Sequence, residues 1–181
     1  MTMRAHVLRV RYRAAWAALA VVIATACRTG PRPIAYGRDG CAYCLMQIND
    51  ARYAAELVTH TGKVSTFDSI ECLVSYYQTL DAAHRDAVET LWVSDYTRPG
   101  TLIPATSARF LRVSGPGSPM GRGMLAVGDS AALAPLQARA SDPPMTWRDV
   151  LALAEREHWA TRSPDHVEPS AMDMGGSTGG R

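Results

Sequence analysis

Short apolar runs in the middle of the chain have the spacings of strands and helices. The first two, at 52–60 and 63–67, are separated by Thr61-Gly62, which predicts two strands joined by a turn. A helix is predicted next, because apolar residues recur at helical spacing through Ile70, Leu73, Val74, Tyr77 and Leu80. Asp68, with Glu71 three residues later, has capping-box spacing, so we expect this helix to begin at Asp68.

The second half of the chain predicts more strands than helices. We expect helices at 82–89, 131–138 and 147–159, and strands at 91–94, 101–103, 108–114 and 124–127. Because strands and helices do not alternate strictly, the pattern favours an α+β fold, with small antiparallel sheets, packed helices and strand–strand–helix units.

The N-terminus has the pattern of an export signal. Residues 1–13 contain four arginines and no acid, and 14–26 are apolar and uncharged, which is typical of a signal peptide. The segment ends in Ala24-Thr25-Ala26-Cys27, which resembles a bacterial lipobox and implies cleavage before Cys27 and its lipidation, palmitate included. We therefore predict a protein anchored by lipid to a bacterial membrane, facing the periplasm or the cell exterior, with the choice of inner or outer membrane left open.

Composition divides the remaining chain into three parts. Residues 27–40 are rich in proline and glycine, which predicts a flexible tether after the lipidated cysteine. Residues 41–160 carry the periodic segments and form the expected folded domain. The polar, glycine-rich segment 161–181 is predicted to be a disordered tail.

The net charge argues against a nucleic-acid partner. The formal charge is +2, but removal of the four leader arginines leaves 15 basic residues against 17 acidic ones. The exported protein would therefore be mildly acidic, without the basic surface that nucleic acids attract.

Sulfur is concentrated in one short stretch, Cys41-Ala42-Tyr43-Cys44-Leu45-Met46. A turn brings residues three apart together, and residues two apart in extended backbone share a face, so Cys41, Cys44 and Met46 can converge. Soft thiolate and thioether ligands favour Cu(I), whereas zinc rarely uses thioether. Three other interpretations remain open: a redox-active CxxC, a structural zinc site with Cys72 and a fourth ligand such as His60, and a disulfide that only stabilises the fold.

Several other residues are candidates for the same site. Met120 lies in the Gly/Pro-rich loop 115–123, where no strand or helix face calls for an apolar side chain. Cys72 is expected to be buried in the first helix. Asp50 and Asp68 can contact the site, or serve as a turn residue and a helix cap. Met172 and Met174 in the tail repeat the two-residue spacing of a copper-capture motif, although a solvated tail with two incidental methionines is the favoured interpretation.

These motifs together resemble the NosL family, lipoprotein copper chaperones for the assembly of nitrous-oxide reductase. The resemblance rests on the lipobox at Cys27, Cys41-x-x-Cys44-x-Met46-x-Ile48, Phe67-Asp68-Ser69 before a helix, Val93-Ser94-Asp95-Tyr96, and Ser118-Pro119-Met120-Gly121. It implies that Met46 and Met120 are thioether ligands of Cu(I), and Cys41 and Cys44 thiolate ligands. It also implies transfer of copper to an ABC-type membrane complex and then to nitrous-oxide reductase. The family usually has glycine where this chain has Leu45, so the loop can be shaped differently here.

The resulting hypothesis is a membrane-anchored, extracytoplasmic Cu(I) chaperone that is not an enzyme. Ligands on loops suit transfer, because an acceptor can replace them one at a time. The alternatives are a thiol–disulfide oxidoreductase that uses Cys41 and Cys44, and a structural lipoprotein in which the same pair is a permanent disulfide.

Overall fold

A computed structural model describes residues 30–114 and 117–161. The predicted signal peptide, Cys27 with its lipobox, and the tail with Met172 and Met174 lie outside the described residues. Among the helices described, none combines the length and the apolar character needed to cross a membrane.

A four-stranded antiparallel sheet organises the first part of the domain. Strands β1 (Ala55–Thr59) and β2 (Val64–Phe67) pair with Ala55 opposite Phe67, and Gly62 at the turn has the positive φ of 81° that favours glycine. Strand β3 (Val88–Ser94) lies on the other side of β1, and β4 (Leu102–Pro104) follows it, giving the order β2-β1-β3-β4. The predicted pair of strands and the α+β class are thus confirmed.

Two helices connect β2 to β3. Helix α1 (Ile70–Thr79) packs against the sheet, and the short helix α2 (Ala82–Asp86) precedes β3. The predicted start of α1 at Asp68 is wrong. Ser69 is the N-cap, and its hydroxyl accepts a 3.2 Å hydrogen bond from the backbone N–H of Cys72. Asp68 and Glu71 are consequently not needed for capping, and both are buried.

A two-stranded sheet and a long helix complete the domain. Strands β5 (Arg109–Arg112) and β6 (Met124–Val127) pair antiparallel, and a parallel bridge between Asp95 and Ala126 joins them to the larger sheet. A 3₁₀ turn (Ser130–Ala132) and helix α3 (Leu133–Gln137) follow β6. Helix α4 (Trp147–Arg156), expected over 147–159, begins with a capping box between Thr146 and Asp149.

Aromatic side chains hold the two helices α1 and α4 against the sheets. Phe67 at the end of β2 packs on Tyr76 of α1, with ring centroids 5.2 Å apart. Trp147 of α4 lies between Tyr77 and Phe110, at 6.3 and 5.9 Å. The start of α1 is therefore fixed in the centre of the domain, between the larger sheet and β6.

The segment before Cys41 is folded and not a flexible tether. Ile34 is buried in the main core, and Arg32 forms a 2.7 Å ion pair with Asp39. The backbone N–H of Gly37 donates to the carbonyl of Ile48 at 2.8 Å. The prediction for 27–40 is therefore wrong from about Arg32 onward, because an apolar contact and local hydrogen bonds offset the flexibility that proline and glycine suggest.

Candidate metal centre

Backbone hydrogen bonds close the CxxCxM segment into a tight loop. The backbone N–H of Cys41 donates to the carbonyl of Met46 at 2.8 Å, and the backbone N–H of Leu45 donates to the carbonyl of Cys41 at 3.0 Å. Leu45 has a φ of 67°, a left-handed conformation that side chains other than glycine rarely adopt. The loop thus has the backbone shape that glycine would favour, although leucine occupies the position. Ala42–Cys44 form a turn, so the helix that a thioredoxin-like CxxC requires does not begin here.

This loop is attached to the end of β2. The N–H of Ala42 donates to the carbonyl of Thr66 at 2.8 Å, and the hydroxyl of Thr66 donates to the carbonyl of Gly40 at 3.0 Å. Thr66 lies two residues before Asp68 and three before the cap of α1. The loop is therefore held directly beside the start of the helix.

Three thiols and one carboxylate meet at this junction. The Sγ atoms of Cys41, Cys44 and Cys72 and a carboxylate oxygen of Asp68 all lie within 4.8 Å of one another. Cys41, Cys72 and Asp68 are buried, whereas Cys44 is half-buried and faces the surface. All three cysteines are free thiols, so the disulfide of the purely structural interpretation is not formed in this structure.

The structure thereby decides which acidic residue accompanies the cysteines. Asp68 is the fourth member of the cluster, a place for which the sequence suggested His60 without convincing spacing. Asp50 is not a member and instead forms a 2.6 Å ion pair with Arg52. Cys72 is buried in the helix, as expected, but it also faces the CxxC loop from one turn beyond Asp68.

Hydrogen bonds and burial make the three thiols unequal. A hydrogen bond from Cys72, together with the backbone N–H groups of Cys44 and Asp68, lowers the pKa of Cys41 to about 7 despite its burial. Burial raises the pKa of Cys44 to about 12, and the adjacent charge of Cys41 adds to the effect. The pKa of Cys72 is raised as well, mainly by its hydrogen bond to Cys41. Cys41 is therefore the thiol of the cluster that ionises most readily, and the thiolate is the form that binds metal.

A second loop is attached to the same turn of α1. The buried hydroxyl of Ser118 donates to Glu71 Oε1, which also accepts from the backbone N–H of Met124 at 3.2 Å. The N–H of Gly123 donates to Ser118 Oγ at 3.0 Å. Burial raises the pKa of Glu71, and the hydrogen bond from Ser118 opposes that rise. Glu71 therefore ties the Ser118–Gly121 loop to the helix turn that carries Asp68 and Cys72.

The methionines predicted as ligands lie on the surface of these two loops. Met46 is 49% exposed and Met120 is 38% exposed, and Leu45 beside Met46 is 73% exposed. Among the described residues, these three are the large hydrophobic side chains that remain exposed. An exposed methionine makes little contribution to a core, which leaves both thioethers available to a ligand. A separate surface cleft, beside Tyr77 and Leu151, has no cysteine in its lining.

The Val93–Tyr96 motif has a structural role. Asp95 is fully buried, and its carboxylate accepts hydrogen bonds from Arg98 at 2.9 and 3.0 Å and from the hydroxyl of Thr97 at 2.7 Å. Burial alone would raise the pKa of Asp95, but these contacts outweigh it and lower the pKa. This residue stabilises the turn after β3 and is not part of the cysteine cluster.

Fold and site together define a small α+β protein in which a thiol-rich, metal-capable centre lies where a cysteine loop meets a helix. Comparison with protein families gives a match to the NosL model over residues 35–141. That match spans more than half of the chain, so the chain belongs to the NosL family.

A solved structure supports the same fold. The crystal structure of the copper chaperone NosL from Shewanella denitrificans matches with a TM-score of 0.52 and 22% sequence identity. The match covers 66% of this chain and 96% of that one. No curated protein matches the chain.

Proposed function

We propose that this protein is a copper chaperone that carries Cu(I) and is not an enzyme. The observation that carries the proposal is the meeting of three free thiols and Asp68 within 4.8 Å, in a member of the NosL family. The similar protein from Shewanella denitrificans lends support, since it is a copper chaperone. Clustered sulfur ligands favour a soft monovalent ion, and Cys41 is the thiol of the cluster that ionises most readily.

We propose that Cys41, Cys44, Met46 and Met120 provide the ligands for copper. Cys41 supplies a buried thiolate, while Cys44 is half-buried and leads to the surface. The exposure of Met46 and Met120 supports their role, because an acceptor protein can reach their sulfur atoms and compete for the ion. Ligands arranged from the interior to the surface suit a carrier that must release its ion stepwise.

Membership of the NosL family supports a proposal for where the copper goes. We propose that Cys27 carries a lipid anchor at a bacterial membrane, outside the cytoplasm. From there the ion passes to an ABC-type membrane complex and then to a cuproenzyme, nitrous-oxide reductase. Labelling with a radioactive fatty acid, compared between the natural chain and Cys27→Ala, tests the anchor. Label retained by the variant would refute lipidation at this residue.

The copper proposal is tested by titrating the reduced full chain with Cu(I) against a chromogenic chelator. We expect one tightly bound ion, with weaker binding in Met46→Ala and in Met120→Ala. Met145→Ala is the matched control, because Met145 lies in neither loop and pairs with Phe110 at the edge of β5. Absence of Cu(I) binding would refute the chaperone function, whereas affinity unchanged by both substitutions would refute the methionine ligands.

A further inference from the structure

Three apolar side chains on the two loops are exposed without a role in the described fold. They are Leu45, Met46 and Met120, and both of their loops are attached to the start of α1. Leu45 is the most exposed of the three, and its left-handed φ of 67° disfavours any side chain at that position. Packing within 30–114 and 117–161 therefore does not account for a leucine here, which points to a contact from outside these residues.

The chain leaves the domain beside both loops. The backbone N–H of Thr161 donates to the hydroxyl of Tyr43 at 3.1 Å, and Tyr43 lies between the two cysteines of the CxxC loop. Two residues earlier, the guanidinium of Arg122 lies over the ring of Trp159, 5.1 Å from its centroid. Arg122 follows Met120 by two residues. Tyr43 and Trp159 are buried, so these contacts fix the point from which segment 162–181 starts.

Segment 162–181 is long enough to return to the exposed side chains. Only the side chain of Tyr43 and three residues of backbone separate Thr161 from Met46, and Cα atoms three residues apart are at most about 11 Å from each other. Met172 and Met174 follow Thr161 by 11 and 13 residues. A flexible chain of that length spans about 17–22 Å on average. Both methionines therefore reach the loop without stretching the backbone.

The composition of the segment suits a small apolar contact. Its large apolar side chains are Val167, Met172 and Met174. Residues two apart in extended backbone point to the same side, so the two methionines can form one apolar face. Methionine adapts its shape to irregular surfaces. Attachment to the domain gives such a face a local concentration of about millimolar, so a weak contact is sufficient.

A second copy of the chain fits this surface less well. A stable dimer buries about 800 Å² on each partner, which is more than three partly exposed side chains provide. A segment that is already attached beside the loops needs a much smaller contact area.

We propose that segment 162–181 folds back onto the surface formed by Leu45, Met46 and Met120, with Met172 and Met174 as its contacts. The docked segment covers both loops, so a partner that binds them must first displace it. The docking is independent of the proposed copper function, because it rests on the exposed side chains and on the place where the chain leaves the domain.

Methyl NMR of the reduced full chain, labelled with ¹³C at the methionine methyl groups and kept with a metal chelator, tests the docking. The natural chain is compared with the double variant Met172→Ser, Met174→Ser. We expect the signals of Met46 and Met120 to shift by more than their line widths, because the variant uncovers both side chains. The signal of the fully buried Met124 should stay in place, which checks that the variant is folded.

Val167→Ser is the matched control, since it removes an apolar side chain from the same segment and leaves both methionines. It should not move the signals of Met46 and Met120. Signals that the double variant leaves unmoved would overturn the proposal, and so would equal shifts in the control. A difference between natural chain and variant that disappears on dilution would assign the surface to a second copy and overturn it too. Failure of the copper proposal is separate, because it would show in the Cu(I) titration and not in these spectra.

Discussion

Ser118→Ala tests whether Glu71 positions the second sulfur loop. The hydroxyl of Ser118 donates to Glu71 Oε1 and accepts from the backbone N–H of Gly123 at 3.0 Å. Both of its partners are buried, as is Ser118 itself. Alanine removes one donor from a buried carboxyl group and leaves a buried N–H without its acceptor.

The expected loss of stability follows from these two contacts. A hydrogen bond within a protein contributes about 0.5–1.5 kcal/mol, and a buried group left unsatisfied costs about 1–3 kcal/mol. The two effects are not fully additive, because the loop can relax and admit water. We therefore expect Ser118→Ala to lower the free energy of unfolding by about 2–4 kcal/mol.

Urea unfolding followed by circular dichroism measures this change. Ser107→Ala is the matched control, because the hydroxyl of Ser107 is exposed and donates only to the nearby carbonyl of Pro104. That substitution should cost no more than about 0.5 kcal/mol, as surface substitutions usually do. We also expect Ser118→Ala to weaken Cu(I) binding, since Met120 lies on the released loop.

Equal unfolding free energies in the two alanine variants would refute this account of Glu71. Lower stability with unchanged Cu(I) affinity would show that the contact stabilises the fold without positioning Met120.

Three further substitutions test individual features of the fold. Leu45→Gly should raise the free energy of unfolding in urea by about 0.5–1 kcal/mol, because glycine relieves about 1–2 kcal/mol of strain at the φ of 67° and loses part of that gain in backbone entropy. A lower free energy of unfolding in Leu45→Gly would refute the backbone strain inferred at Leu45. Gly123→Ala should lower the free energy of unfolding by about 3 kcal/mol or more, because the new Cβ would lie 2.1 Å from the carbonyl oxygen of Val113 at a φ of 74°. A free energy of unfolding equal to that of the natural chain would refute this close contact. Burial raises the pKa of Glu56 from 4.5 to about 7, so this residue's contribution to stability is fully present below pH 4.5 and is lost as the pH rises through 7. Glu56→Gln should therefore be more stable than the natural chain at pH 8, by up to about 3 kcal/mol, with no such gain at pH 4.5. An equal gain at both pH values would refute the raised pKa of Glu56.

Local sequence patterns were sufficient for most of the secondary structure. Alternation and turn signals located the strand pair β1–β2, and helical spacing located α1 and α4. The errors lie at boundaries. The helix expected over 82–89 ends at Asp86, and the strand expected over 91–94 begins at Val88, because pairing of β3 with β1 overrides the local helical preference.

The capping error at α1 has a functional consequence. Asp68 and Glu71 have the spacing of a capping box, and nothing in the sequence distinguishes that role from burial. Ser69, one residue later, forms the cap and leaves both carboxylates available for other contacts. Glu71 then anchors the Ser118 loop, and Asp68 joins the cysteines.

The sulfur chemistry and the family of this protein could both be predicted from the chain alone. Cys41, Cys44 and Met46 lie within six residues, so their proximity depends only on local backbone geometry. The place of Cys72 and Asp68 beside them became evident only in the folded domain. These residues follow by about 30 positions, and they reach the cysteine loop because β1 and β2 fold back and Thr66 binds that loop to the start of α1. Contacts between distant residues depend on how strands and helices pack, and no local pattern records that packing.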